Sequence, residues 1–192
     1  MSFTQTIYSP TPNNLLRVQD LPKLVAVIGG KHSGKTTVIE NLIAELTRRG
    51  YHVGAIKEMV RVPTLDTPAK ETDRYRKAGA QTIVAVPRDE TVLFITKRLG
   101  IKEILPHLCG LDFVVLEGFE SEAAIPRVIA AKTAEEAQNY LDKSTMAISG
   151  IITDSKAETE KMPTSKIPII NSASEIKKLT DLVEDSAIEF GV

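Results

Sequence analysis

The sequence has no tryptophan and a single cysteine, Cys109, in 192 residues. One thiol cannot close an internal disulfide, so no disulfide framework organises the chain, and Cys109 reads as a small buried apolar residue. Histidine is scarce as well. His32, His52 and His107 are far apart in sequence, which argues against a dedicated transition-metal cluster. No run of about 18 apolar residues occurs and the first residues carry no apolar signal core, so the expectation is a cytoplasmic protein that does not enter a membrane. Neither sign of charge dominates: 24 basic against 25 acidic side chains leave a net charge of −1. Such a balance supplies no general field for nucleic acid.

What is present is enough for one α/β domain with a substantial core. Met1 to Asp20 is polar, contains Pro10, Pro12 and paired asparagines, and has no sustained apolar period, so residues 1–20 read as a loosely held tail and 21–192 as a single nucleotide-binding domain. Near its start, Leu24-Val25-Ala26-Val27-Ile28 has the length and β-branching of a buried strand. Gly29-Gly30-Lys31-His32-Ser33-Gly34-Lys35-Thr36 follows and fits G-x-x-x-x-G-K-[ST]. The period then becomes helical, with Val38, Ile39, Leu42, Ile43 and Leu46 on one face. A glycine-rich loop between strand and helix is the context a phosphate-binding loop needs. Its glycines let consecutive N–H groups converge on phosphate oxygens, and the helix N-terminus adds its positive end. Lys35 would bridge β- and γ-phosphates, and the Thr36 hydroxyl would meet a magnesium ion.

Further along, His52 to Ile56 predicts a strand ending at Lys57, and Thr67 to Lys77 can be helical with Pro68 in its first turn. Thr82–Val86 and Thr91–Ile95, separated by Pro87-Arg88-Asp89-Glu90, predict a β-hairpin, a candidate antiparallel edge where a second subunit could add strands. Thr96 to Leu108 predicts a helix broken around Gly100 and Pro106. Phe113-Val114-Val115-Leu116 is an unbroken apolar strand delivering Glu117-Gly118 toward the phosphate loop. Arg127 to Ala131 predicts a strand, and Thr133 to Asp142 a helix with a capping box in Thr133 and Glu136. Met146 to Ile152 predicts a strand ending at Thr153-Asp154, Ile167 to Ile170 a short strand, and the residues from Ser174 a final helix. This alternation gives an α/β fold: a doubly wound, mostly parallel sheet of the P-loop NTPase type with an added hairpin.

Several acids and bases then become candidates. Glu117, ending a buried strand beside a phosphate loop, suits the metal, directly or through water. Lys57 can stabilise phosphate charge or simply be solvated. Asp66, Lys70 and Glu71 occupy the segment where a nucleotide-sensing switch would sit, and a surface loop would have the same composition. Asp154 could accept the two donors of a guanine edge, which adenine does not offer.

Taken together, Gly29 to Thr36, Ile56-Lys57, Asp66-Thr67-Pro68-Ala69-Lys70-Glu71-Thr72 leading into Arg76-Lys77-Ala78-Gly79-Ala80, and Asp112 to Glu120 resemble the molybdopterin-guanine dinucleotide biosynthesis protein B family over roughly residues 23–130. The resemblance implies a homodimer that binds GTP and Mg²⁺, hydrolyses GTP weakly, and assists the nucleotidyltransferase that joins a guanine nucleotide to molybdopterin in building the molybdenum or tungsten cofactor. On that footing Gly29, Gly30, Lys31, His32, Ser33, Gly34, Lys35, Thr36 and the adjoining Thr37 hold the nucleotide, Thr36 and Glu117 the metal, with Lys35 and Glu117 nearest any chemistry. Asp66, Lys70 and Glu71 belong to the switch segment. Glu58-Met59-Val60-Arg61 stands where that family usually has histidines. A small-molecule kinase resembling dethiobiotin synthetase is the alternative on the same architecture. A metal-delivery GTPase resembling the nickel-insertion proteins would need a Cys/His ligand set.

Overall fold

The apolar run that leads into the glycine-rich loop forms the middle of a parallel sheet. The computed structural model describes residues 21–59, 71–162 and 167–189. The elements are β1 (Lys23–Ile28), α1 (Lys35–Arg48), β2 (Val53–Lys57), α2 (Glu71–Lys77), β3 (Thr82–Ala85), β4 (Val92–Ile95), α3 (Ile101–Ile104), a 3-10 turn (Leu105–Leu108), β5 (Phe113–Glu117) and β6 (Arg127–Ala130). They continue with α4 (Ala134–Tyr140), β7 (Thr145–Ser149), a second 3-10 turn (Ile151–Asp154), α5 (Lys156–Glu160), α6 (Ile176–Ser186) and β8 (Ile188–Glu189). The expected tail at residues 1–20, and Asp66 and Lys70 of the switch segment, lie outside the described residues. The chain divides into two compact units, one running to Glu58 and resuming at Leu105, the other from Met59 to Ile104.

In the first unit the sheet order is β2-β5-β1-β6-β7, every neighbouring pair parallel. Val25, Val27, Val115, Val128 and Ala147 pack against Val38, Leu42 and Leu46 of α1 and Leu179 and Val183 of α6. The alternate residues Leu24, Ala26, Val114, Leu116 and Ile129 are fully buried too. Both faces are therefore covered, which is why these strands read as unbroken apolar runs rather than alternating ones. β2 lies on one side of β1, with β5 between them, whereas β6 and β7 lie on the other. The chain thus reverses its direction of travel at the carboxyl end of β1, the place where an open α/β sheet forms a ligand crevice. β6 begins opposite Ala26, and the vacant register beside Lys23 and Leu24 is taken by β8, antiparallel.

α1 and α6 are tied by charge as well as by packing. The buried Glu45 carboxylate accepts from Arg48 Nε at 2.6 Å and Arg49 Nε at 3.0 Å, while Arg49 reaches Asp181 and Glu184, each at 2.7 Å. The Arg48 hydrogen bond, opposed by burial and reinforced by Arg49, lowers Glu45 from the ordinary value of about 4.5 to about 2.

The second unit holds α2 beside β3, and the hairpin, in register from Thr82↔Ile95 to Ala85↔Val92. The hairpin is a two-stranded sheet of its own, not an edge of the parallel one. Asp73 of α2 is buried between Arg76 and Lys77, the latter at 2.7 Å.

Several local features differ from the sequence reading. β7 stops at Ser149 because Gly150, at φ 87°, turns the chain into the 3-10 turn, so Asp154 ends a turn and not a strand. Ile167–Ile170 contributes one parallel bridge, Ile169 to Ile148. Thr96–Leu108 is helical over Ile101–Ile104 and then tightens to a 3-10 turn through Pro106, which has no N–H to continue the α pattern. Thr133 does cap α4, accepting from Glu136 N at 3.2 Å, but the Glu136 carboxylate bonds Lys132 N at 2.6 Å instead of closing the box.

Candidate functional site

At the carboxyl end of β1 the chain makes a turn that only glycine fits. Gly29 has φ 139°, and a Cβ there would overlap the carbonyl oxygen of Ala130. A Cβ on Gly30 would run into Glu136 Oε1. Gly34 at φ 94° opens α1 without a side-chain cap, and the first turn contains no acid. Its leading N–H groups and positive dipole end are thus left to a ligand. Lys35 curls back and donates to Gly29 O at 2.9 Å and Gly30 O at 2.6 Å.

The turn after β7 holds the loop from the other side. Ser33 O accepts from Ile151 N at 3.2 Å, and a Cβ on Gly150 would collide with that same oxygen. Ser33 is 1% exposed, and its Oγ is buried with no hydrogen-bond partner. Lys31, His32, Ser33, Gly34, Lys35, Thr36, Thr37, Glu117 and Ile151 line one cavity of about 390 Å³.

Glu117 reaches this cavity from the end of β5, where it pairs in register with Lys57 at the end of β2. Lys57 Nζ lies 3.0 Å from Glu117 Oε1, and the Glu117 side chain is 17% exposed. Glu58 then fixes the chain beyond Glu117. Its N–H donates to Glu117 O at 2.9 Å and its carboxylate accepts from Phe119 N at 3.0 Å, holding Phe119 at φ 59°. Asp154 is exposed and accepts from Asn171 Nδ2 at 3.3 Å.

The structure thus brings Lys31 to Thr37 and Glu117 onto one cavity, with Gly29 and Gly30 in the turn that leads into it, bonded by Lys35, and Lys57 attached through Glu117. Glu71 opens α2 in the other unit. Sequence reasoning missed Ile151, Glu58 and Glu136. Gly150 carried the only signal for Ile151, a glycine just past a strand. Glu58 and Glu136 act through contacts that no local pattern encodes.

The donors suit a polyphosphate: free helix amides and a lysine. Thr36 and Glu117 add two hard oxygen ligands, the number expected for Mg²⁺ that completes its shell with phosphate oxygens and water. Among the described residues no group of three or more His, Cys, Asp and Glu could by itself hold a metal ion. Nor is any described helix long and apolar enough to cross a membrane.

Comparison with known proteins adds to this geometry. Relatives include a protein of Methanocaldococcus jannaschii, 31% identical over 131 residues, covering 66% of this chain and 54% of that one. Another, in Escherichia coli, is 34% identical over 105 residues, covering 52% and 60%. Both are named as molybdopterin-guanine dinucleotide biosynthesis adapter proteins. The match spans little more than half the length of these relatives. Crystal structures of MobB from Bacillus subtilis (TM-score 0.68, 23% identity, 86% of this chain and 98% of that one) and of a MobB homologue from Bacillus stearothermophilus (0.60, 21%, 85% and 97%) share the fold. The model of one family, described as molybdopterin guanine dinucleotide synthesis protein B, matches residues 24–154. Those residues run from the first strand through the glycine-rich loop and Glu117 to the turn at Asp154, and by that match the chain belongs to the molybdopterin guanine dinucleotide synthesis protein B family.

Proposed function

We propose that this protein binds GTP with Mg²⁺ and serves as an accessory to the nucleotidyltransferase that attaches a guanine nucleotide to molybdopterin. The observation that carries this reading is the single cavity on which the uncapped start of α1, Lys35, Thr36 and Glu117 meet.

In this reading the N–H groups from Gly30 to Thr36 wrap the β- and γ-phosphates, and Lys35 exchanges its loop carbonyls for phosphate oxygens. Bound Mg²⁺ neutralises polyphosphate charge. Thr36 and Glu117 hold it, and Lys57 keeps the Glu117 carboxylate aimed and partly balanced. Asp154 favours guanine, and Asp66, Lys70 and Glu71 belong to a nucleotide-sensing switch segment. Among the described residues no arginine lines the cavity; on that basis hydrolysis is slow, since phosphoryl transfer to water without such a cation gains little stabilisation.

The working form is a homodimer. Val84 and Leu93, directly paired on the hairpin, are 55% and 44% exposed, and a two-stranded sheet leaves strand edges that another copy can extend.

Two measurements test the proposal. Calorimetry is expected to show GTP binding that needs Mg²⁺ and exceeds ATP binding. A purified molybdopterin nucleotidyltransferase is expected to be retained by the immobilised protein. ATP bound tightly with GTP ignored would refute the base preference, and rapid phosphate transfer to a metabolite would place the protein among the small-molecule kinases.

A further inference from the structure

One side chain on the phosphate cavity has no part in holding phosphate. Ile151 is 45% exposed, although large apolar residues elsewhere in the sheet unit are mostly buried, and it sits in the cavity wall beside Thr36 and Thr37. Its position is not accidental to the loop. Its N–H is bonded to Ser33 O, and the preceding Gly150 is pressed so close that any side chain would strike the same oxygen. The apolar group is therefore held at a fixed place relative to the loop. An apolar surface kept wet at the rim of a polar cavity is waiting for an apolar face to cover it.

What lies one step further along the turn is polar. In a 3-10 turn residues three apart eclipse one another, about 6 Å along the axis, so Asp154 stands on the same side as Ile151. Asp154 is exposed, and its Oδ1 accepts from Asn171 Nδ2 at 3.3 Å. Asn171 is itself pinned, since its Oδ1 accepts from Ala173 N at 2.9 Å and Ser174 N at 3.2 Å. That fixes which end of the amide faces Asp154 and makes it a donor. The turn thus presents an apolar patch and, about the width of a heterocycle away, a carboxylate whose orientation is set from behind.

We propose that the exposed side of the Ile151–Asp154 turn is the nucleobase seat: Ile151 is the shelf on which the ring lies, and Asp154, positioned by Asn171, meets the edge of a base that offers paired N–H donors. This rests on the phosphate site proposed above and deepens it, assigning the shelf to Ile151 and a positioning role to Asn171.

The test uses the full chain, with Mg²⁺, and three ligands compared by calorimetry: inorganic triphosphate, GTP and ATP. Triphosphate reads the loop alone. With Ile151→Ser, GTP and ATP are expected to bind about tenfold more weakly, the effect of uncovering one apolar side chain, with triphosphate within twofold of the unaltered protein. Ile151→Val is expected to keep most of the nucleotide affinity. Asp154→Asn turns one acceptor into a donor and is expected to bring the GTP-to-ATP preference down about tenfold, again without touching triphosphate. The seat is overturned if Ile151→Ser leaves nucleotide binding unchanged or weakens triphosphate equally. It is also overturned if the unaltered protein binds triphosphate as tightly as GTP. Failure of the unaltered protein to bind either would instead overturn the phosphate site, and the seat with it.

Discussion

Lys35→Ala removes the ammonium that is bonded to the Gly29 and Gly30 carbonyls of the loop. In the ligand-free loop two of its three N–H donors go to Gly29 O and Gly30 O. Binding a polyphosphate exchanges these neutral acceptors for charged ones. An ion pair at about 4 Å in a half-buried site is worth about 4 kcal/mol, and giving up the two carbonyl bonds offsets about 1–2 of that. The net loss in the variant is then about 2–3 kcal/mol, or roughly a 30- to 160-fold rise in Kd. Calorimetric titration of GTP with Mg²⁺ at physiological salt reads it directly. The same variant frees two carbonyls that water can reach, so its stability is expected to fall by no more than about 2 kcal/mol in a urea melt. Lys35→Arg keeps the charge but not the compact geometry and is expected to fall between the two proteins. A change in Kd under threefold, in a variant that melts normally, would refute the assignment of Lys35 to the phosphates.

Two neighbouring glycines are expected to behave differently on substitution. Gly29→Ala meets backbone at Ala130 and a φ of 139°, and is expected to lose more than about 3 kcal/mol in a denaturant melt, whereas Gly30→Ala meets only the movable end of Glu136 and is expected to lose about 1. Acid is expected to weaken the clasp between α1 and α6: the folded value of Glu45 is depressed, so its contribution is complete above about pH 4.5 and disappears as pH falls toward about 2. A Glu45→Gln variant should lose that part of the pH dependence of Tm, and an unchanged profile would count against the network. Val84→Glu with Leu93→Glu is expected to leave a monomer of about 21 kDa in light scattering, as like charges facing across the hairpin repel a second copy.

Much of the fold was readable because its strands are unbroken apolar runs that end in candidate site residues. β1 and β5 declared both their burial and their destinations, Gly29 and Glu117, since strand residues buried on both faces leave little room for other patterns. The loop was equally plain: Gly29, Gly34, Lys35 and Thr36 answer backbone and charge requirements that few alternatives satisfy. The hairpin was found, but not its independence from the parallel sheet, because strand pairing across units is not a local property. β8 was invisible for a similar reason. Its two residues acquire strand geometry only because β6 starts late and leaves part of β1 open. Asp154 was placed at a strand end because Ile151 and Ile152 continue the apolar run of β7. Gly150 decides the matter, and a glycine after a strand can mean a bulge, a stop or a close approach. Ile152 is buried while Ile151 is not, a distinction the composition of the pair could not make.

The contact between Gly150 and Ser33 has a kinetic consequence. A loop containing three glycines in eight residues should wander among many backbone conformations, and a ligand arriving at such a loop would have to wait for the receptive one or select it from a small population. Here the neighbouring turn clamps the loop carbonyl before any ligand arrives, so the receptive shape is the resting one. If the loop holds a polyphosphate as proposed, encounter would need little beyond the turning of Lys35 from its carbonyls, and differences in affinity among ligands are expected mainly in how long each one stays.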